Sequence, residues 1–245
     1  MKITVVSPWY NEEIFAPFFL TLYNYADKIH IFLDVETNDG TEDICKEYDN
    51  VEIEKIDYLS RGFYDRTIIR RVNDFVAKLK SDWVIVVASD EFIFPRNNES
   101  ARAVLERQTA NLLKAHMWQT WKHITETDLD LSKPSVYQRR HGQLLPHRRI
   151  TERYNKPIIA KPKSGVQWLP GAHKCMSEKE PLVLSGESFI GAHWKHADIE
   201  RAIAKRKERL KRMKGIRDRG VKDPKLIRGA LMEDFKIHLE DPQMF

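Results

Sequence analysis

Trp83-Val84-Ile85-Val86-Val87-Ala88-Ser89-Asp90-Glu91-Phe92 is the stretch on which the fold turns. Its first five residues, Trp83 to Val87, are apolar without interruption, as in a strand buried on both faces. Asp90 and Glu91 follow at once. An apolar run ending in an acidic pair reads as a central parallel strand that delivers carboxylates to the carboxyl edge of a sheet, where open α/β sheets bind ligands. A core strand closing in a solvated turn would look the same, so the flanking sequence has to decide.

Upstream, strands alternate with helices. Ile3 to Val6 reads as a first buried strand, closed by Pro8-Trp9-Tyr10-Asn11-Glu12-Glu13. A helix is expected from Ala16 and Pro17, since proline is tolerated in a first turn, with Phe18, Phe19, Leu22 and Tyr23 toward the sheet. Lys28 to Leu33 is a second strand, and the polar stretch 34–40 follows it. Thr41 is placed to cap the next helix, with Glu42 and Asp43 in its positive first turn. Val51, Ile53 and Ile56 suggest a third strand. Asp65 to Lys80 carries Ile68, Ile69, Val72, Phe75, Val76 and Leu79 at helical spacing. The expected class is therefore α/β, a doubly wound, mostly parallel sheet.

Downstream of Pro95 the pattern changes. Ser100 to Gln108 reads as a helix, and Asn111 to Ile124 as an aromatic-rich strand crossing beneath the site. Residues 125–164 are polar and basic, with Arg139-Arg140-His141-Gly142 and His147-Arg148-Arg149. Pro157 to Ala160, Val166 to Trp168 and Glu187 to His193 are strand candidates. Asp198 can cap a helix bearing Ile199, Ile203, Leu210 and Met213, and a last helix is expected over 225–239.

The 245 residues suffice for one α/β domain with an elaboration, and for a core without staples. Net charge is +5 and the isoelectric point near 9.0, which permits a polyanionic partner but fits a solvated basic face as well. Cys45 and Cys175 lie far apart and have no metal-ligand spacing, as expected in a reduced cytoplasmic setting. The N-terminal apolar run is too short for a signal peptide, and no run has the length of a transmembrane helix. No Gly-x-Gly-x-x-Gly follows a strand, which argues against a dehydrogenase.

Three pieces coincide on strand ends: Tyr10-Asn11-Glu12-Glu13 after the first, Asp34 with Asp39-Gly40-Thr41 after the second, and Asp90-Glu91-Phe92 after the fourth. In this order they resemble the nucleotide-sugar-binding half of family-2 glycosyltransferases, which have the GT-A fold. The resemblance covers residues 3–95 and continues more weakly through Lys156-Pro157, Pro170-Gly171-Ala172-His173 and Gly191-Ala192-His193-Trp194. It implies a nucleotide-sugar-binding half over 1–95, an acceptor-binding half over 96–197, and C-terminal helices over 198–245. It also implies transfer of a sugar from a donor, most simply a UDP-sugar, to an acceptor hydroxyl with inversion.

On that resemblance Pro8, Tyr10, Asn11 and Glu12 hold the nucleoside, with Tyr10 stacking on the base and Glu12 accepting ribose hydroxyls. Asp34 accepts the base imide N–H, and Arg66 and Arg70, one helical turn apart, reach the pyrophosphate. Each has a plainer reading as a packing, turn or solvated residue. The acidic motif departs from the family's Asp-x-Asp: Ala88 and Ser89 precede Asp90, so the metal position survives while a ribose contact is lost or passed to Ser89. Asp90 then anchors Mn²⁺ or Mg²⁺, which take oxygen ligands and keep waters. His193 is the expected late histidine ligand, and His173 the second candidate.

An inverting transfer needs a group to take the acceptor proton. The family's Glu-Asp dipeptide is absent at the expected place, which leaves Glu91, His173, and Asp128 and Asp130 in Thr-Asp-Leu-Asp-Leu. The acceptor is open among glycan, lipid, protein and DNA. For DNA, Arg139, Arg140, Arg148, Arg149 and the cations over 201–214 could follow phosphates, beside Trp118, Trp121 and Trp168 as stacking surfaces. A module of the same fold without catalysis is the other alternative, with Ala88 as its supporting feature.

Overall fold

Four parallel strands form the first half of the sheet in the computed structural model, in the order β3-β2-β1-β4. These are β1 (Ile3–Trp9), β2 (Lys28–Asp34), β3 (Val51–Ile56) and β4 (Trp83–Val86), linked by α1 (Ala16–Tyr23), α2 (Thr41–Lys46) and α3 (Asp65–Val76). The structure describes residues 1–57, 65–123, 125–133, 138–139, 141–143, 155–177, 179–198, 200–205, 207–208 and 243–244.

Alternation along the strands explains why helices cover both faces. Val5, Ile31 and Ile85 join Phe18, Phe19, Leu20 and Tyr23 in one buried cluster, while Val6, Phe32, Val84 and Val86 join Val72 and Val76 of α3 in a second. Thr41 does not cap α2 with its side chain; Gly40 occupies the cap position. The Thr41 hydroxyl accepts the Glu12 N–H at 2.7 Å and binds Asp39, so it links two loops and is unavailable to the helix.

The second half contributes β5 (Glu91–Pro95), α4 (Ala101–Glu106), β6 (Leu112–Trp121), β7 (His141–Gln143), β8 (Asn155–Ala160), β9 (Val166–Trp168), β10 (Cys175–Ser177), β11 (Leu184–His196) and β12 (Gln243–Met244). β8 runs antiparallel between β4 and β6. β11 runs parallel to β6 on one side and antiparallel to β5 on the other. The helix expected over Ser100 to Gln108 forms as α4, capped by Ser100, which accepts the Ala103 N–H at 3.2 Å. β9 and β10 form a separate hairpin. Its Trp168 backbone exchanges two 2.9 Å hydrogen bonds with the Asn73 amide of α3.

β5 is absent from the sequence expectation, because Glu91-Phe92-Ile93-Phe94-Pro95 is short and directly follows the acidic pair. β11 is longer than the expected 187–193. Asp198 does cap a helical segment over 200–205, accepting the Arg201 N–H at 2.7 Å. The helix expected over 225–239 lies outside the described residues. Among the described residues no helix is long and apolar enough to cross a membrane.

Candidate active site

The acidic pair divides into two roles because of the turn that carries it. After β4 the chain reverses at Ala88-Ser89-Asp90-Glu91, closed by a 3.1 Å bond from the Glu91 N–H to the Ala88 carbonyl. The Glu91 side chain closes the same turn from the other end, since Oε2 accepts the Ala88 N–H at 2.9 Å. Its Oε1 forms an ion pair with Lys156 of β8, and both side chains are buried. Burial, the largest influence, would raise the Glu91 pKa; Lys156 first, then His193, together with the Ala88 N–H, hold the group below the usual carboxylate range. Tyr23 spans the start of β5, donating to the Glu91 carbonyl at 2.9 Å and accepting the Ile93 N–H at 3.1 Å. Glu91 is thus a lock, and Ser89 and Asp90 occupy the two central positions of the locked turn.

Backbone pairing brings His193 to Asp90. β11 places His193 opposite Glu91, and the next residue, Trp194, donates its N–H to the Asp90 carbonyl at 2.7 Å. The imidazole Nε2 then lies 3.5 Å from Asp90 Oδ2, with both side chains partly exposed. Burial tends to raise the Asp90 pKa; His193 first, then Lys205 and Arg201, reverse this and hold it well below the usual carboxylate range. Phe15, Phe18 and Phe92 pack around the Trp194 ring behind the turn.

The pair fits a divalent cation. An oxygen and a nitrogen 3.5 Å apart can be spanned by one ion bound at about 2.1 Å from each. Among the described residues no third His, Cys, Asp or Glu joins them. Further ligands would be phosphate oxygens and waters, as Mg²⁺ prefers. Gln119 of β6 supplies a control that sequence reading missed: its amide lies 2.6 Å from His193 Nδ1. With the amide N–H₂ toward Nδ1, the ring proton sits on Nε2 and points to Asp90. With the amide turned, its oxygen accepts an Nδ1–H and the Nε2 lone pair is free for a cation.

The loops after β1 and β2 are bound to each other. Asn11 takes a left-handed conformation (φ 50°), which asparagine tolerates better than most residues. Its Oδ1 accepts the Asn38 N–H at 3.0 Å, and its Nδ2 donates to Asn38 Oδ1 at 3.1 Å. Asp39 accepts the Glu13 N–H and the Thr41 N–H, each at 3.1 Å. Asp34 is fully buried, and its Oδ1 accepts the Glu36 N–H at 2.9 Å. Glu12, also buried, forms ion pairs with Arg201 and Lys205 from the segment after β11. Pro8 lies in β1 beside Phe32, Tyr10 is partly buried after it, and Ser89 is buried.

Among the described residues the other expected acids and His173 do not join the Asp90–His193 pair. Arg70 is exposed on α3, and the Arg66 side chain is outside the described residues. His173 follows the turn between β9 and β10, in the hairpin docked on α3. Asp128 is exposed and paired with Lys122; Asp130 binds Lys133 and the Ser132 N–H and hydroxyl, which lower its pKa to about 2. Arg139, expected on a basic surface, is buried and donates to the carbonyls of Ala197, Thr127 and Gln138. It ties the loop after β6 to the end of β11. Arg140, Arg148 and Arg149 lie outside the described residues. Lys156 stood in a quoted dipeptide, Lys156-Pro157, but nothing local marked it as the partner of Glu91.

No protein-family model matches the chain, and no curated protein does. Solved structures similar in fold include S. aureus TarS 1-349, with 15% identity over 78% of this chain and 60% of that one at a TM-score of 0.45. The same fragment in complex with UDP-GlcNAc gives 15% identity over 81% and 62%, also at 0.45. Glucosyl-3-phosphoglycerate synthase from Mycobacterium tuberculosis, in complex with Mn²⁺, UDP and phosphoglyceric acid, gives 17% identity over 47% and 43%, at 0.33. The chain thus spans 60% of the length of the first of these.

Proposed function

We propose that this chain is a glycosyltransferase that uses a nucleotide-sugar donor and a divalent cation, acting by inversion at an acceptor hydroxyl. The observation that carries this reading is the Asp90–His193 pair, 3.5 Å apart at the carboxyl edge of a parallel strand. The interlocked loops after β1 and β2 end at the same edge, and Glu12 from the first is linked to cations that act on Asp90.

In this reading Pro8, Tyr10 and Asn11 form the wall of the nucleoside pocket. Asp34, closed off by its own turn, positions the loop after β2. Asp90 and His193 would hold Mn²⁺ or Mg²⁺, which when bound supplies Lewis-acid stabilisation of the leaving diphosphate. Ser89 beside Asp90 would take the ribose contact that Ala88 cannot make. Glu91 keeps the turn in shape and takes no proton, because both its oxygens are engaged.

Asp128 is the base we assign to the acceptor proton. Its side chain is 91% exposed, whereas Glu91 is buried and Asp130 is engaged in a turn. Arg139 ties its loop to Ala197, four residues beyond His193. Lys122 hydrogen-bonds Asp128 at Oδ1 and lowers its pKa.

Titration of UDP, GDP and ADP by calorimetry, with and without Mn²⁺, tests the core of the reading. Wild type should bind one of them more tightly with Mn²⁺. Asp90→Asn should lose that Mn²⁺ effect while melting as wild type does. An Asn variant with unchanged Mn²⁺ dependence would remove Asp90 as the anchor. Nucleotide binding without turnover of any sugar nucleotide would instead favour the non-catalytic module that Ala88 suggests.

A further inference from the structure

Glu12 presents a puzzle for a nucleoside-binding loop. It is a buried carboxylate with both oxygens already taken, Oε2 by Arg201 and Oε1 by Lys205. The two cations come from the other end of the fold, one helical turn apart on the segment that Asp198 caps. Arg201 is itself nearly buried, and its guanidinium carbon lies 3.8 Å from the centre of the Phe15 ring. Lys205 is more exposed, at 36%.

The position of this triad suggests its purpose. Arg201 lies over the Phe15 ring, which meets the ring of Trp194, the residue whose N–H binds the Asp90 carbonyl. The cations are therefore held on the loop proposed to hold a nucleoside and, through Phe15 and Trp194, close to the carboxylate proposed to hold a metal. In a nucleoside diphosphate the interval between nucleoside and metal is the diphosphate. A buried anion there, held by two cations through charge-assisted contacts, takes the electrostatic place that a donor's phosphates would fill. Arg201 is kept oriented by the Phe15 face, so it can change partner with little reorganisation.

We infer that Arg201 and Lys205 bind the diphosphate of the donor, and that Glu12 is their internal counter-anion, exchanged for the diphosphate when donor arrives. This rests on the nucleotide-sugar reading above. Glu12 on this inference is no ribose acceptor. Its carboxylate keeps the segment after β11 docked on the β1 loop, and its backbone carbonyl accepts the Phe15 and Ala16 N–H groups at the start of α1. Donor binding would loosen the carboxylate link and transfer the cations toward Asp90.

The test compares nucleoside 5′-diphosphates (UDP, GDP, ADP) with their nucleosides and with inorganic pyrophosphate, by calorimetry without metal. Lys205→Gln and the paired Glu12→Gln/Arg201→Gln variant, which leaves no buried charge alone, should each weaken diphosphate binding about 10- to 100-fold. Nucleoside binding should stay as in wild type. Glu12→Gln alone removes the competing anion, so diphosphate and pyrophosphate should bind at least as tightly as in wild type. Melting curves of each variant confirm a folded chain. Loss of nucleoside and diphosphate affinity together in Glu12→Gln would make Glu12 a nucleoside ligand and overturn the inference. So would Lys205→Gln and the paired variant binding diphosphate as wild type does. If wild type binds none of the diphosphates, the donor reading itself fails, which is a separate outcome.

Discussion

Between Ile3 and Val86 β2 pairs with β1 and with β3, each one βα unit away, and β4 returns to β1, all in parallel and without a break in register. Between Glu91 and His196 strands far apart in sequence are brought together: β5 meets β11, β8 enters between β4 and β6, and β6–β11 carries two register shifts. The first half is held by two broad apolar clusters, where a lost methyl is shared among many neighbours. The second half aims the site through a few single contacts: Lys156 on Glu91, Trp194 N–H on the Asp90 carbonyl, and Gly191 against β5 and β6. Site geometry should therefore be more fragile than the sheet that bears it.

The strongest way to break that contrast is at Lys156. Lys156→Met would leave the Glu91 carboxylate buried without its counter-charge, at a cost of about 3–5 kcal/mol. The companion Glu91→Gln/Lys156→Met variant should recover part of this, because no unpaired charge remains. Urea denaturation of the three proteins measures both effects. A Lys156→Met variant as stable as wild type would mean the turn is held without the ion pair. In that case the second half is no more fragile than the first.

Gly191 sharpens the comparison at smaller scale. A Cβ at this position would clash with the Met117 sulfur and lie 3.1 Å from the Phe92 carbonyl oxygen. The methionine can give way; the backbone carbonyl cannot do so without displacing β5. Gly191→Ala should cost about 1–3 kcal/mol by overpacking and should weaken Mn²⁺-dependent nucleotide binding, since His193 is two residues on. Unaltered metal dependence in a destabilised variant would show that the His193 position is fixed by Trp194 rather than by strand packing.

The same contrast governs what the sequence discloses. The elements of the first half are read from apolar runs and helical spacing because each strand and helix carries its own pattern, whatever strand it pairs with. Asp90 is found that way, at the end of the most apolar strand. His193 is expected from a resemblance that calls for a late histidine ligand, and pairing with β5 explains why His193 and not His173 stands beside Asp90. Glu91 shows the limit: two adjacent carboxylates look equivalent until Lys156, 65 residues away, takes one of them. Arg139 shows it in reverse. A basic tetrapeptide looks like a solvated patch, and burial of its first arginine against three carbonyls depends on β11 ending where it does. Gln119 carries no local mark at all, since its function exists only through the ring it touches.

The smallest expected effect lies in the first half, at His30. Its ring stacks on Phe75 of α3 at 3.9 Å and meets Phe32 edge-on. Nε2 is 3.3 Å from Glu54, Nδ1 is 3.9 Å from Glu52, and Lys28 lies on the same strand. Burial first, then Lys28, lower the His30 pKa, and the two glutamates recover only part of the loss. The folded state thus disfavours the charged ring. Below about pH 6.5 the unfolded chain binds this proton more readily than the folded one. Stability contributed by the neutral ring is complete above that pH and declines as pH falls toward the folded-state pKa, below which no further loss follows. His30→Gln should flatten the stability profile between about pH 5 and 7 while leaving the nucleotide and Mn²⁺ responses alone, because His30 sits on β2 away from Asp90 and His193. The denaturation midpoint of both proteins across that range decides it. A wild-type midpoint that rises on acidification, with the rise lost in His30→Gln, would mean Glu52 and Glu54 outweigh burial and that this face stores an ion pair in place of a packed neutral ring.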